Sequence, residues 1–374
     1  MKFKVSAEIL KGLVDKSSKI LDKTVRGTVR DNIKFTLTAD SLRSVVVNDS
    51  VSLSDRINIV ECDIQNGEEF SFLIKADTLI SFIGSKKCYL EITLFDNKEI
   101  RFDYPRGSYS DTWEQADLFP NLFLPNESNY KTTVKSGNFV SVLKKAFSFI
   151  GDDEYRPMMQ RVLLDIKEDR FNIATSNMFM LFKNEYMVDV LNEYTSQMVF
   201  SRNAFDILYS YLSDSDDVDI NIHFDGVRQY LCFNDTIITD MALEGNYPAY
   251  EKIFNRFESA LMVEVNRRDF ITMISSSNMV CDDKNHILLD VEIDDVVRIS
   301  AENLLNRKKI KEDIDCVKLF GEKGVFKISS RNLLIPARNI SGSKMVIELS
   351  KDDLLVRITN PDCKSETIIC STFR

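Results

Sequence analysis

Val5-Ser6-Ala7-Glu8-Ile9-Leu10-Lys11-Gly12-Leu13-Val14 has two relatives further along the chain. They are Val134-Lys135-Ser136-Gly137-Asn138-Phe139-Val140-Ser141-Val142-Leu143 and Val265-Asn266-Arg267-Arg268-Asp269-Phe270-Ile271-Thr272-Met273-Ile274. Each has a strand-like residue, polar residues suited to capping, then apolar positions at helical spacing. Val5, Val134 and Val265 correspond, as do Leu10, Phe139 and Phe270, and then Leu13, Val142 and Met273, at offsets of 129 and 131 residues. A second helix-starting element also recurs. It reads Ile74-Lys75-Ala76-Asp77-Thr78-Leu79, Phe200-Ser201-Arg202-Asn203-Ala204-Phe205 and Ile328-Ser329-Ser330-Arg331-Asn332-Leu333, at offsets of 126 and 128. The two elements resemble each other, so each unit reads as internally doubled. Self-similarity at a near-constant period is the signature of a repeated supersecondary unit.

Working outward, a pair of alternating strands follows each helix. The first pairs are 33–47 around Ala39-Asp40, 162–177 around Glu168-Asp169 and 287–303 around Asp294-Asp295. The second pairs are 89–104 around Asp96-Asn97, 218–234 around Asp225-Gly226 and 345–360 around Asp352-Asp353. Asp and Asn between alternating runs are hairpin signals. Period-two alternation buries one face of each sheet, and the two helices must cover it. The expected fold is α+β, with three repeated domains at 1–127, 128–253 and 254–374. Helix-then-hairpin strings are common in α+β proteins, but three copies of two landmarks in one order argue for true repeats.

Composition narrows the function. With 44% hydrophobic residues, 12 Gly and 7 Pro, the 374-residue chain can fill several cores. No apolar run reaches the ~18 residues of a membrane span, and Met1-Lys2-Phe3-Lys4-Val5 has no long apolar core behind its charges. A cytoplasmic protein with no membrane contact is expected. The seven cysteines form no CxxC pair and read as reduced thiols. The two histidines, His223 and His286, lie in strand-like runs. No phosphate-binding, dinucleotide or HExxH motif occurs, so neither metal, cofactor nor catalysis is expected.

The chain carries a net charge of −10, which alone argues against nucleic acid. The six helix windows 1–26, 74–87, 134–150, 200–212, 265–280 and 328–344 nevertheless carry +13, leaving −23 elsewhere. Lysines on one solvated helix face are ordinary; the segregation of positive charge into the helix windows, five of the six net positive and the 200–212 window neutral, is less so. Helices sharing one surface would attract phosphates without reading bases, while an acidic exterior repels stray nucleic acid. Lys11, Lys19, Lys23, Arg26, Lys144, Lys145, Arg202, Arg267, Arg331 and Arg338 are the candidate phosphate contacts. Aromatic stacking platforms are not evident in these windows, so duplex DNA is the better partner.

Several local motifs resemble the bacterial sliding clamp, the beta subunit of DNA polymerase III, over the whole length. The opening Met1-Lys2-Phe3-Lys4-Val5 is similar to the family's. Arg156-Pro157-Met158-Met159-Gln160-Arg161-Val162 followed by Ala174-Thr175-Ser176-Asn177-Met178-Phe179-Met180 resembles its R-x-x-L-x-G-[VM] strand and A-T-D-G-H-R-L signature. Gly245-Asn246-Tyr247-Pro248-Ala249-Tyr250 resembles its G-x-[FY]-P-x-Y turn. The resemblance implies a head-to-tail homodimeric ring around duplex DNA and loading by an ATP-driven clamp loader. It also implies docking of the DNA polymerase III catalytic subunit and other clamp-motif proteins in an apolar groove. Carried over by position, that groove falls on Met159, Thr175, Met178, Phe179, Met180, Pro248, Ile253, Thr372 and Phe373. The dimer contact falls on Phe102 and Tyr104 on one side and Met279 and Val280 on the other.

The departures bear on partners. The family's Asp-Gly-His-Arg-Leu reads Ser176-Asn177-Met178-Phe179-Met180 here, which removes the basic groove residues and leaves a methionine-rich, apolar site. Arg161 stands at a family glycine. The end, Cys370-Ser371-Thr372-Phe373-Arg374, lacks the family's proline, and Pro336 is expected to kink or shorten the last helix. These departures motivate a second reading, a clamp-shaped interaction protein that no longer loads on DNA. A third reading, an enzyme of unrelated α+β fold, would need converging carboxylates, but the paired carboxylates sit mainly in turns.

Overall fold

The structure, a computed structural model, describes residues 1–21, 29–84, 86–126, 130–187, 195–213, 216–280, 287–305, 307–352 and 354–373. Six times over, one strand leads into a helix and three antiparallel strands follow. The six leading strands are Lys2–Ser6, Phe70–Lys75, Tyr130–Lys135, Ser196–Ser201, Ser259–Asn266 and Gly324–Ser329. They enter helices α1 (Ala7–Ser17), α2 (Ala76–Ile83), α3 (Ser136–Ala146), α4 (Arg202–Tyr211), α6 (Arg267–Ser277) and α7 (Ser330–Asn339). A short helix, α5 (Glu251–Arg256), stands apart from this pattern. The fold is α+β with antiparallel sheets, and each repeat is doubled. No described helix is long and apolar enough to cross a membrane.

The six hairpin turns fall where the Asp and Asn pairs predicted them. Asp225 Oδ1 accepts the Val227 and Arg228 amides at 2.9 and 2.6 Å. Asp294 Oδ1 accepts the Val296 amide at 3.1 Å, and Asn97 Oδ1 the Glu99 amide at 3.1 Å. A short side-chain acceptor thus supplies the bond that tightens the turn. The third strand of each set, such as Gly107–Thr112 or Lys308–Phe320, was not read from the sequence.

Helix entry is satisfied chiefly by a strand entrance. The Ala7, Ser136, Arg267 and Ser330 amides donate to the carbonyls of Cys88, Val218, Ser343 and Ile287 at 2.8–2.9 Å. Each acceptor immediately precedes the first strand after the other helix of its repeat. Orphan amides of a helix start need such partners. Helix α6 also has a side-chain cap, Asn266 accepting from the Arg268 and Asp269 amides. Each helix then buries a stripe, for example Leu10, Leu13 and Val14 of α1 and Phe270, Met273 and Ile274 of α6. Pro336 lies inside α7 without shortening it: the helix runs on to Asn339, whose side-chain Nδ2 donates to the Ile335 carbonyl at 2.8 Å.

The chain divides into two compact units. The first comprises 1–140 and 203–242, the second 141–202 and 243–374. The first unit holds a five-stranded sheet and a nine-stranded sheet. In the larger one, Val51–Asn58 pairs antiparallel with Thr236–Met241, joining strands far apart in sequence. The second unit holds a twelve-stranded sheet, in which Met180–Met187 pairs antiparallel with Cys363–Ser371.

Candidate partner groove and nucleic-acid interface

In the second unit the strands Arg170–Ser176 and Met180–Met187 are joined by a tight turn. Asn177 Oδ1 accepts the amides of Phe179 and Met180 at 3.1 and 2.8 Å, and Ser176 Oγ accepts that of Met178 at 3.1 Å. Met178 sits at φ +76°, in the left-handed region that residues with a Cβ avoid. The turn turns both Met178 and Phe179 outward, each about half exposed. The Phe179 carbonyl accepts the Ser371 amide at 2.8 Å, which fixes the end of the chain beside it. The Phe373 amide donates to the Lys327 carbonyl at 2.7 Å, and the Phe373 ring stays exposed.

Two further loops close on this turn. A Cβ placed on Gly151 would lie 3.4 Å from Met159 Cβ and 3.5 Å from Asn177 Cα, so the 151–160 loop packs on it. Gly245 lies against Met158 in the same way. Beneath them is a cluster of Leu163, Ala174, Leu181, Val199, Tyr247 and Tyr250, with Met158 and Phe254 packed against it. Pro248 and Ile253 are exposed, and Met159 and Thr372 are half-buried. The surface is therefore apolar and accessible. Thr175 and Met180 are not part of it. Both are buried, Thr175 donating to the Ala146 carbonyl at 2.9 Å, because they belong to the inward face of their strands. Sequence reasoning missed Met158 and Phe254. Phe254, four residues after Tyr250, meets its ring edge-on at 6.3 Å, and that spacing was a usable signal.

The turn at 245–250 is anchored by a buried carboxylate. Asp165 is 1% exposed, and its Oδ2 accepts the Tyr250 hydroxyl at 2.6 Å. Gln197 donates to Oδ1 at 3.2 Å, and the Lys167 ammonium lies 3.2 Å from Oδ2. Burial, and then the Asp165 carboxylate, push the Tyr250 phenol well above its ordinary range. It therefore remains a hydrogen-bond donor.

The candidate phosphate contacts separate into three groups. Lys23 and Arg26 lie outside the described residues. Lys145 and Arg267 are turned to structural work and are corrected here. The Lys145 ammonium bonds Ser341 Oγ at 2.6 Å and pairs with Glu366, which is almost fully buried. The Arg267 guanidinium spans the end of α7, donating to the carbonyls of Ala337 at 2.7 Å and Gly342 at 2.8 Å. Its donors are spent on a helix C-terminus, where a cation is favoured. The third group faces solvent. Lys19, Lys144, Arg202, Arg331 and Arg338 are exposed, and Lys11 makes a surface pair with Asp15 at 2.5 Å. Arg331 and Arg338 are seven residues apart on α7, hence on one face.

Solved structures with this architecture cover the chain end to end. The DNA polymerase sliding clamp from Bacillus subtilis superposes with a TM-score of 0.89 at 15% identity, covering 100% of this chain and 99% of that one. The DNA polymerase III subunit beta from Pseudomonas aeruginosa gives 0.89 at 13% identity, covering 100% of both chains. The DNA polymerase III beta subunit from Thermotoga maritima gives 0.85 at 16% identity, covering 100% and 99%. The fold is that of a sliding clamp. No protein-family model and no curated protein sequence matches the chain. The clamp fold is thus carried by a sequence only 13% to 16% identical to these structures.

Within the clamp fold, the candidate dimer residues also separate. Phe102 is 1% exposed, packed 4.9 Å from the Phe82 ring, and Val280 is 3% exposed, so both are core residues of their own chain. Tyr104 is half-buried and Met279 is 68% exposed. Sequence reasoning missed Leu304 and Leu305, which are 79% and 92% exposed at a hairpin tip. Asn303 donates to the Val280 carbonyl at 3.1 Å, which ties that tip to the Met279 segment. Two leucines in a turn, where polar residues are usual, were the overlooked signal.

Proposed function

We propose that this chain is a DNA sliding clamp subunit, built of three clamp domains at about 1–127, 128–253 and 254–374. Two copies join head to tail and enclose duplex DNA, and an ATP-driven loader opens the ring. Retention comes from topology and not from catalysis. The exposed Lys19, Lys144, Arg202, Arg331 and Arg338, together with the half-buried Lys11, meet phosphates weakly and without regard to sequence, which suits sliding. The groove of Met158, Met159, Met178, Phe179, Pro248, Ile253, Thr372 and Phe373 holds an apolar peptide of the polymerase or another partner. Flexible methionines suit a surface that accepts varied peptides.

The observation that carries this reading is the match of fold over the full length of both chains. The test is retention on DNA. With its loader and ATP, the protein should stay on nicked circular DNA through a salt wash and be lost when the circle is cut. Loss from both forms alike would identify a clamp-shaped protein that does not load.

A further inference from the structure

A cavity of about 450 Å³ opens in the first unit where both of its sheets end. Its walls are aromatic and its rim is acidic. Trp113 lines the cavity, is 8% exposed and donates its indole N–H to the Phe95 carbonyl at 3.1 Å. Phe70 meets Trp113 edge-on at 5.5 Å, and the Phe70 and Phe95 rings are half-buried. Asp63, Glu68 and Asp96 line the same cavity and are exposed. Asp63 accepts the Lys2 amide at 2.8 Å. Glu68 and Asp96 have no ion-pair partner among the described residues. The lining includes no Lys or Arg, and the Met1 ammonium is bonded to the Leu94 carbonyl at 3.0 Å.

Aromatic faces and unpaired carboxylates around one space favour a positive ligand. The ring quadrupole attracts a cation over its face, and Trp does so best. The chain already makes this contact beside the cavity, where the Arg101 guanidinium lies 5.3 Å from the centre of the Phe95 ring. An anion would meet like charge, and a purely apolar ligand would gain nothing from the carboxylates. We infer that this cavity binds an organic cation, a guanidinium or alkylammonium group on a flexible stem. The charge lies against the Phe70 and Trp113 rings, with Glu68, Asp96 and Asp63 around it at the rim. This site is independent of the groove and of the phosphate-facing cations, and none of their residues lines it.

Trp113 is the chain's one tryptophan, so its emission reports on the cavity directly. The full chain, free of DNA, would be titrated with Nα-acetyl-arginine amide, with spermidine and with the uncharged Nα-acetyl-citrulline amide. Calorimetry would run in parallel to catch binding that leaves the emission unchanged. The expected result is saturable binding of at least one cation, no saturable binding of the citrulline amide, and affinity about tenfold weaker in the double variant Glu68→Gln, Asp96→Asn. Both side chains are exposed, so that variant should fold normally. Preference for the arginine amide would identify a basic protein side chain as the natural occupant, and preference for spermidine a free polyamine. No saturable signal with either cation, equal binding of the citrulline amide, or unchanged affinity in the double variant would overturn the assignment.

Discussion

At the scale of single residues, adjacent side chains at the start of a strand do opposite jobs, and substitution should separate them. Met180 is 1% exposed, whereas Phe179 is 54% exposed at the groove. Met180→Ala should cost about 2–5 kcal/mol of folding stability, as buried truncations do. Phe179→Ala should leave stability within about 0.5 kcal/mol while weakening binding of a partner peptide by about 1–2 kcal/mol. Urea melts and peptide titrations of both variants decide the matter; a Phe179→Ala protein that binds normally would move the groove. Tyr250 offers a second test. Its hydroxyl satisfies the buried Asp165, so Tyr250→Phe should cost about 1–3 kcal/mol near neutral pH. The folded phenol is held above its unfolded value of about 10. Its contribution is therefore complete below pH ~10 and is lost as pH rises further. The stability gap between the native chain and Tyr250→Phe should narrow in urea melts taken above that pH.

At the scale of elements, what was legible was local. The helix stripes and hairpin turns were read because their signals are local: at Asn97, Asp225, Asp294 and Asp352 the side chain accepts an amide two or three residues away. The third strands escaped because their signal is weak: Gly107–Thr112 is largely polar, and Lys308–Phe320 carries charge along an exposed edge. Lys144 and Lys145 are alike in sequence, yet one faces solvent and the other pairs with Glu366, 221 residues away. No local pattern carries that distinction. Backbone constraints of the same long range give a testable contrast between two glycines. Gly321 has φ +80°, and a Cβ there would lie 2.3 Å from the Ala260 carbonyl oxygen. Gly12 lies within α1 with nothing within 4 Å of such a Cβ. Gly321→Ala should destabilise by about 3 kcal/mol, while Gly12→Ala should stabilise by about 0.5–1 kcal/mol. Thermal melts in the reverse order would contradict both placements.

At the scale of the whole molecule, the pairing of third strands points to how a ring would close. Twice within the chain, the third strand after one repeat's first helix pairs with the third strand after the next repeat's second helix. These pairs are Val51–Asn58 with Thr236–Met241, and Met180–Met187 with Cys363–Ser371. The same rule leaves Lys308–Phe320 and Gly107–Thr112 to find each other. Gly107–Thr112 ends its sheet. Lys308 to Asp315 pair on one side with 296–303, and the strand reaches Ser259–Asn266 only from Cys316 onward. Exposed Lys308, Lys309 and Lys311 on one edge would face Asp103, Asp111 and Glu114 at or beside the other. In the proposed ring, a second copy of the chain would supply the missing partner at each end, and a heterologous contact of this kind closes into a ring when the rotation allows. Covering these edges also removes a template for aggregation. Beside the joint, Met279, Leu304 and Leu305 present apolar surface that a neighbour would bury. The native chain should therefore sediment at twice the monomer mass. Met279→Asp should give a folded monomer with native circular dichroism, because a side chain 68% exposed contributes little to the fold of its own chain. Added salt should weaken the native dimer through the facing charges. A Met279→Asp protein that still sediments as a dimer would place the joint on another surface.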